Sequence, residues 1–258
     1  MISRKSALIS GLGKCEREAL KFIKENEPAE GYVLAFSGGK DSVVLLDLAM
    51  RSDVDFKVVY NLTTIDPPEL VKFVRDTFKS LTNSGIECRI LKPVRPYFSE
   101  LKRRKFLPSV LKRWCCYFLK EEPMKRFIKN LDTKRVLVGI RREESFRRSQ
   151  RERVVNLGYM VHYKPIFGWS EYHVWEYIDK YHILYCNLYD EGFSRLGCIV
   201  CPFHSPKLHQ VYRKRYPLHY KMFENTVREI YENHDIWQNK YQCIDEILCK
   251  WYGNGGLI

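Results

Sequence analysis

Ser37-Gly38-Gly39-Lys40-Asp41-Ser42 lies between two apolar segments of different kinds. Before it, Tyr32 to Phe36 is a short apolar run that predicts a buried strand. After it, Val43 to Met50 (VVLLDLAM) is nearly continuous in apolar residues and predicts a helix. Strand, glycine turn and helix in that order make an anion site. Backbone N–H groups converge there and the helix N-terminus adds positive potential. Gly38 and Gly39 permit positive φ and close approach of a phosphate. Ser37 and Ser42 offer hydroxyl donors, Lys40 a positive charge, and Asp41 a carboxylate that can hold Mg²⁺ through water. The Walker pattern GxxxxGK[ST] is absent.

The flanking sequence repeats the alternation. Phe56 to Tyr60, Ile86 to Leu91 and Val136 to Ile140 are further strand candidates. A helix stripe (Leu70, Val74, Phe78, Leu81) follows Thr63 to Glu69, where Asp66 and Glu69 have N-cap and N3 spacing around Pro67. Cys15, Ala19, Phe22 and Ile23 mark an earlier helix; Met124, Phe127, Ile128 and Leu131 a later one. Ser170 caps another, with Val174, Ile178 and Tyr181 on one face. This order predicts an α/β fold: a mostly parallel, twisted sheet with helices on both faces, followed by a helical, cysteine-bearing C-terminal part. The expected division is residues 1–169 for the nucleotide-binding domain and 170–258 for the helical region. Ligands of such sheets sit at the carboxyl ends of the strands, where the glycine loop and Thr63 to Asp66 both fall.

The 258 residues carry 44 Lys and Arg against 31 Asp and Glu, a formal charge of +13. That balance favours polyanions, with a merely basic, solvated surface as the plainer account. Two dense stretches stand out: Lys102 to Lys105, and six arginines between Arg141 and Arg153. No apolar run reaches the roughly 18–20 residues of a membrane span, and the N-terminus makes a poor signal peptide. The expectation is a cytoplasmic protein with no membrane partner. The Tyr-, Lys- and Arg-rich segment after Pro206 reads as packing helices, with base stacking the weaker alternative.

In a reducing compartment nine cysteines are not a disulfide framework. Cys198 and Cys201 form a CxxC that alone fits redox, zinc or iron–sulfur chemistry. The adjacent Cys115 and Cys116 do not suit a structural zinc half-site, whereas four thiolates suit a [4Fe–4S] cube. The competing account is two packed cysteines beside an unrelated CxxC.

SGGKDS resembles the PP-loop of ATP pyrophosphatases (the adenine nucleotide alpha hydrolase-like fold). Together with the paired cysteines, Gly139-Ile140-Arg141-Arg142-Glu143 and the late CxxC, it resembles the phosphoadenosine phosphosulfate reductase family from about Tyr32 to Pro206. The resemblance implies ATP and Mg²⁺ at Ser37 to Ser42, with Lys40 and Asp41 catalytic. It adds Thr64, Asp66, Gly139, Arg141 and Glu143 to the nucleotide site and places a [4Fe–4S] cluster on Cys115, Cys116, Cys198 and Cys201. Two features depart from the reductases. The chain ends WYGNGGLI, without their Cys-Gly-(Ile/Leu)-His segment, and Thr63 to Glu69 lacks their Asp-Thr-Gly pattern. Cys243 and Cys249 read as packed residues of a helix. The chain is also similar to the ATP pyrophosphatase component of DNA phosphorothioation systems. That similarity implies sulfur transfer onto DNA or RNA, a sulfur donor such as a cysteine desulfurase, and room for a homo-oligomer. The alternatives are a reductase of adenylyl-sulfate or its 3′-phosphate, and a nucleotide-binding scaffold subunit.

Overall fold

The computed structural model describes residues 11–253, which form two compact units interleaved along the chain. The first comprises Tyr60 and everything before it, Glu69–Leu91 and Lys125–Leu196; the second comprises Asn61–Pro68, Lys92–Met124 and the chain from Gly197 onward. The single break expected at 169/170 is thus replaced by an alternation. Chain segments that leave the strand ends build the second unit, and residues 170–196 stay with the first.

The first unit opens with α1 (Leu12–Glu25), whose buried Leu12, Glu16, Ala19 and Ile23 recur at helical spacing. β1 (Tyr32–Ala35) leads through the glycine loop into α2 (Lys40–Arg51), buried nearly all round from Ser42 to Ala49. β2 (Phe56–Asn61), α3 (Pro68–Asn83) and β3 (Cys88–Leu91) follow. Leu70, Val74, Phe78 and Leu81 form the buried stripe of α3, as their spacing predicts. The rings of Phe73 and Phe78 lie 6.5 and 5.9 Å from that of Phe36, at the end of β1.

In the second unit, α4 (Tyr97–Arg104) is followed by α5 (Trp114–Cys116). A π turn over Tyr117–Glu121 continues α5 into α6 (Glu122–Lys129), returning the chain to the first unit. There β4 (Arg135–Val138), α7 (Phe146–Ser149), β5 (Val154–Asn156) and β6 (Val161–Tyr163) lead to α8 (Glu171–Tyr181). Ser170 caps α8, its hydroxyl accepting from His173 N–H at 3.1 Å. The six strands run in the order β3-β2-β1-β4-β6-β5. β1 is parallel to β2 and to β4, β4 is parallel to β6, and β5 pairs antiparallel with β6. This is the mostly parallel sheet expected; the short β5–β6 hairpin lies in a stretch that shows no clear period. The order reverses beside β1, so the carboxyl ends of β1 and β4 flank a switch-point crevice.

The rest of the second unit is α9 (Pro206–Arg215), α10 (Pro217–Glu232), α11 (Asp235–Lys240) and α12 (Ile244–Gly253). Tyr212, Tyr216, Tyr220, Phe223 and Trp251 are all buried there. The ring of Trp251 packs 4.6 Å from that of Phe223, and its indole N–H donates to Pro108 O at 2.8 Å. The aromatic tail is core, not a stacking platform. Cys243 and Cys249 are exposed, contrary to the packed positions expected of them. Cys243 precedes α12, and Cys249 lies off its buried stripe of Ile244, Ile247 and Trp251.

Candidate functional site

The glycine loop leaves the end of β1 and starts α2. Gly38 has φ of 74°, and a Cβ there would lie 2.6 Å from Leu70 Cδ1 and 2.9 Å from Val74 Cγ2. Only glycine fits both the backbone angle and the contact with α3. Gly39 is different: its φ is −82°, and a Cβ would meet only Tyr189 Oη at 3.3 Å and Ser37 Oγ at 3.5 Å. Ser37 Oγ donates to Ser42 Oγ at 3.2 Å, and Ser42 Oγ donates to Gly39 O at 2.8 Å, so the two hydroxyls tie the loop to itself.

Cations of low exposure surround the loop. Lys40 is buried, its Nζ 3.3 Å from Glu171 Oε1 and 3.8 Å from Asp41 Oδ2. Arg141, just after β4, is buried as well; its Nε lies 2.5 Å from Asp41 Oδ1 and its Nη1 2.9 Å from Glu143 Oε2. Glu143 also accepts from the Glu171 N–H at the start of α8. Gly139 approaches closely: a Cβ would lie 2.9 Å from Asp41 O and 3.3 Å from Ser42 N. The sheet therefore brings Ser37 to Ser42 together with Gly139, Arg141 and Glu143 across about 100 residues of sequence. Tyr189 is a member that the sequence does not reveal, since nothing in its local pattern ties it to the loop. Its Oη accepts from the Lys40 N–H at 3.0 Å, the first amide of α2.

Thr64 and Asp66 belong to the second unit, at the cysteines. Asp66 lies two residues before the start of α3. Its Oδ2 accepts from Thr63 N–H at 2.7 Å and closes a turn in which Thr64 has φ of 68°, a strained angle for a β-branched residue. The Cys198 thiol donates to Thr63 Oγ1 at 3.5 Å, and Ile199 N–H donates to Ile65 O at 2.8 Å. The turn thus holds the CxxC segment.

Cys115 is next to Cys116, and the charges of Cys198 and Cys201 act on it too. The hydrogen bond from Cys115 pulls the Cys116 thiol down against burial, with help from Lys120 and Arg113, while Cys115 is correspondingly pushed up. Burial pushes Cys198 up to about 12, opposed by Lys120. Lys120 is held above the usual lysine range, chiefly by Cys198 and against burial, with Asp66, Cys116 and Cys201 adding to it. Lys120 is one turn beyond Cys116 and lies in the π turn, a feature that recurs at functional sites. The sequence signal for Lys120 is this i+4 spacing from Cys116. Lys120 is thus the cation shared by Cys116, Cys198 and Cys201. Among the described residues no three His, Cys, Asp or Glu side chains are gathered to hold a metal ion. The donor set that the resemblance expects of a cluster is four thiols carried on two segments of the second unit.

The phosphoadenosine phosphosulfate reductase domain matches residues 31–204. An uncharacterized protein of Methanocaldococcus jannaschii, MJ0066, is 34% identical over 229 residues, 86% of this chain and 47% of its own length. The adenosine 5'-phosphosulfate reductase of Neisseria meningitidis serogroup B is 38% identical over 124 residues, 45% of this chain and 49% of that protein. The chain therefore spans about half the length of these relatives. In fold it is similar to the phosphoadenylyl-sulfate reductase of Candida auris, with a TM-score of 0.55 at 17% identity, covering 77% of this chain and 96% of that one.

Proposed function

Because the chain belongs to the phosphoadenosine phosphosulfate reductase family, we propose that it is a PP-loop enzyme that binds ATP at Ser37 to Ser42 and activates an acceptor for sulfur transfer. An acceptor oxygen attacks the α-phosphorus, pyrophosphate leaves, and the resulting adenylate makes that oxygen a leaving group. A sulfur nucleophile then displaces AMP. The observation that carries the reading is the glycine loop at the β1/β4 switch point, with Lys40 and Arg141 buried against it. Buried cations stabilise charge developing on a departing pyrophosphate far better than exposed ones.

Asp41 is the carboxylate of the loop that would help hold a nucleotide's Mg²⁺. Its oxygens are engaged by Arg141 and Lys40, so Mg²⁺ would be held mostly by phosphate oxygens, with Asp41 added when Arg141 moves to the phosphates. Cys115, Cys116, Cys198 and Cys201 would hold a [4Fe–4S] cluster, which when bound supplies iron and sulfide able to carry sulfur or electrons. Lys120 and the Thr63 hydroxyl would balance and orient the thiolates. The acceptor we favour is DNA or RNA, from the charge of +13; the sulfur donor would be a second protein.

The relatives named adenosine 5'-phosphosulfate reductase favour a second reading, reduction of a sulfonucleotide to sulfite. Anaerobically purified protein given ATP, Mg²⁺, nucleic acid and a sulfide donor should release pyrophosphate and AMP. Release of sulfite from adenylyl-sulfate with a thiol reductant, and no pyrophosphate from ATP, would establish the reductase instead.

A further inference from the structure

We propose that Tyr97 donates a hydrogen bond from its hydroxyl to a sulfur of the centre held by Cys115, Cys198 and Cys201, and so tunes that centre's reduction potential. The inference rests on the reading of the four cysteines as a cluster site. Tyr97 is the first residue of α4 and is 1% exposed, yet its buried Oη has no hydrogen-bond partner. A buried hydroxyl without a partner costs about 1–3 kcal/mol, and buried tyrosines usually place their O–H on an acceptor. A phenylalanine would fill the same volume without that cost.

The ring is fixed by the elements that carry the thiols. It stacks on Trp114, the residue before Cys115, at 6.0 Å between centroids and 16° between planes. Its backbone N–H donates to Thr64 Oγ1 at 2.8 Å, and the neighbouring Thr63 accepts from Cys198. The ring is thus held from both sides by the elements that carry Cys115 and Cys198; burial first, and then the charges of Cys115, Cys198 and Cys201, hold its hydroxyl above the usual tyrosine range. The elements that carry these thiols enclose a donor that has no acceptor of its own. A neutral thiol is a weak acceptor, whereas a metal-bound thiolate or bridging sulfide carries negative charge and takes an O–H readily. The missing partner is thus supplied when the thiols are deprotonated around a cluster. Each electron added makes the sulfurs more negative and the hydrogen bond stronger, so the hydroxyl favours the reduced state.

The test uses the full chain and Tyr97→Phe, both purified anaerobically. Iron and acid-labile sulfide in the parent come first: their absence overturns the cluster reading itself. With iron bound in both proteins, optical redox titration should show a more negative midpoint potential in Tyr97→Phe. Equal potentials would overturn the Tyr97 proposal and leave the cluster standing. Thermal melting of the cluster-free proteins is the control for folding. The cluster-free variant should melt no lower than the cluster-free parent, because the lost hydroxyl has no protein partner. A lower melting point would show that it has one, and the proposal would fall.

Discussion

Adjacent glycines in the loop have unequal duties. Gly38 combines positive φ with a side chain's breadth of clash against Leu70 and Val74, whereas Gly39 has an ordinary φ and only a soft contact with Tyr189. Gly38→Ala should lose about 1–3 kcal/mol of stability and most ATP affinity, while Gly39→Ala should fold like the parent. Calorimetry and melting curves on the two variants check this; equal behaviour would contradict the asymmetry. Tyr189 allows a second residue-level prediction. Its hydroxyl occupies the first amide of α2, which a phosphate would otherwise take. Tyr189→Phe should therefore bind pyrophosphate about 2–10-fold tighter, the worth of one net hydrogen bond. Trp175, whose ring centroid is 5.3 Å from that of Tyr189, supplies a fluorescence signal. Weaker binding in the variant would make the hydroxyl a phosphate ligand rather than a competitor.

At the scale of elements, the basic run of α4 is less available than its composition implies. Arg103 and Arg104 both pair with the buried Glu100, at 2.6 and 2.7 Å, and Lys102 pairs with Glu229 at 2.5 Å. In the arginine-rich stretch, Arg141 is committed to Asp41, and Arg153 lies over the Phe22 ring while donating to Pro165 O. Lys102–Glu229 is an exposed pair that a polyanion can displace at little cost; the Glu100 pairs are more firmly held. Replacing Glu100 by Gln should free two guanidinium groups and steepen the salt dependence of duplex DNA binding, toward the roughly −0.9 in log–log slope expected per phosphate contacted. An unchanged slope would remove α4 from any nucleic-acid surface. The CxxC segment offers a sharper test: Cys198→Ser should lose iron from anaerobic protein, and full iron retention would end the four-cysteine assignment.

At the scale of the whole molecule, the half-buried His162 and the buried His209 link stability to acid. Burial pulls His162 down to about 4, assisted by Lys164 and Arg151; burial likewise pulls His209 down to about 4, assisted by Arg213. Between pH 6.5 and 4 the unfolded chain therefore binds more protons than the folded one, and stability should fall as pH drops through that window. Melting temperatures recorded from pH 7.5 to 4.5 should decline below about 6.5. A flat profile would show these histidines to be solvated.

The α/β class, the glycine loop, the α3 stripe and the four separated thiols are all written locally. Each depends on spacing within a few turns of chain, and a period of 3.6 or an apolar run survives in any context. Tertiary structure decided what pairs with what across long separations. It joined Asp41 to Arg141, brought Tyr189 onto the first amide of α2, and set the Cys198 thiol on the Thr63 hydroxyl. It also paired Lys102 with Glu229 and left the buried Tyr97 hydroxyl without a hydrogen-bond partner. Such choices turn on burial and distance between residues 30 to 150 positions apart, which no local period encodes.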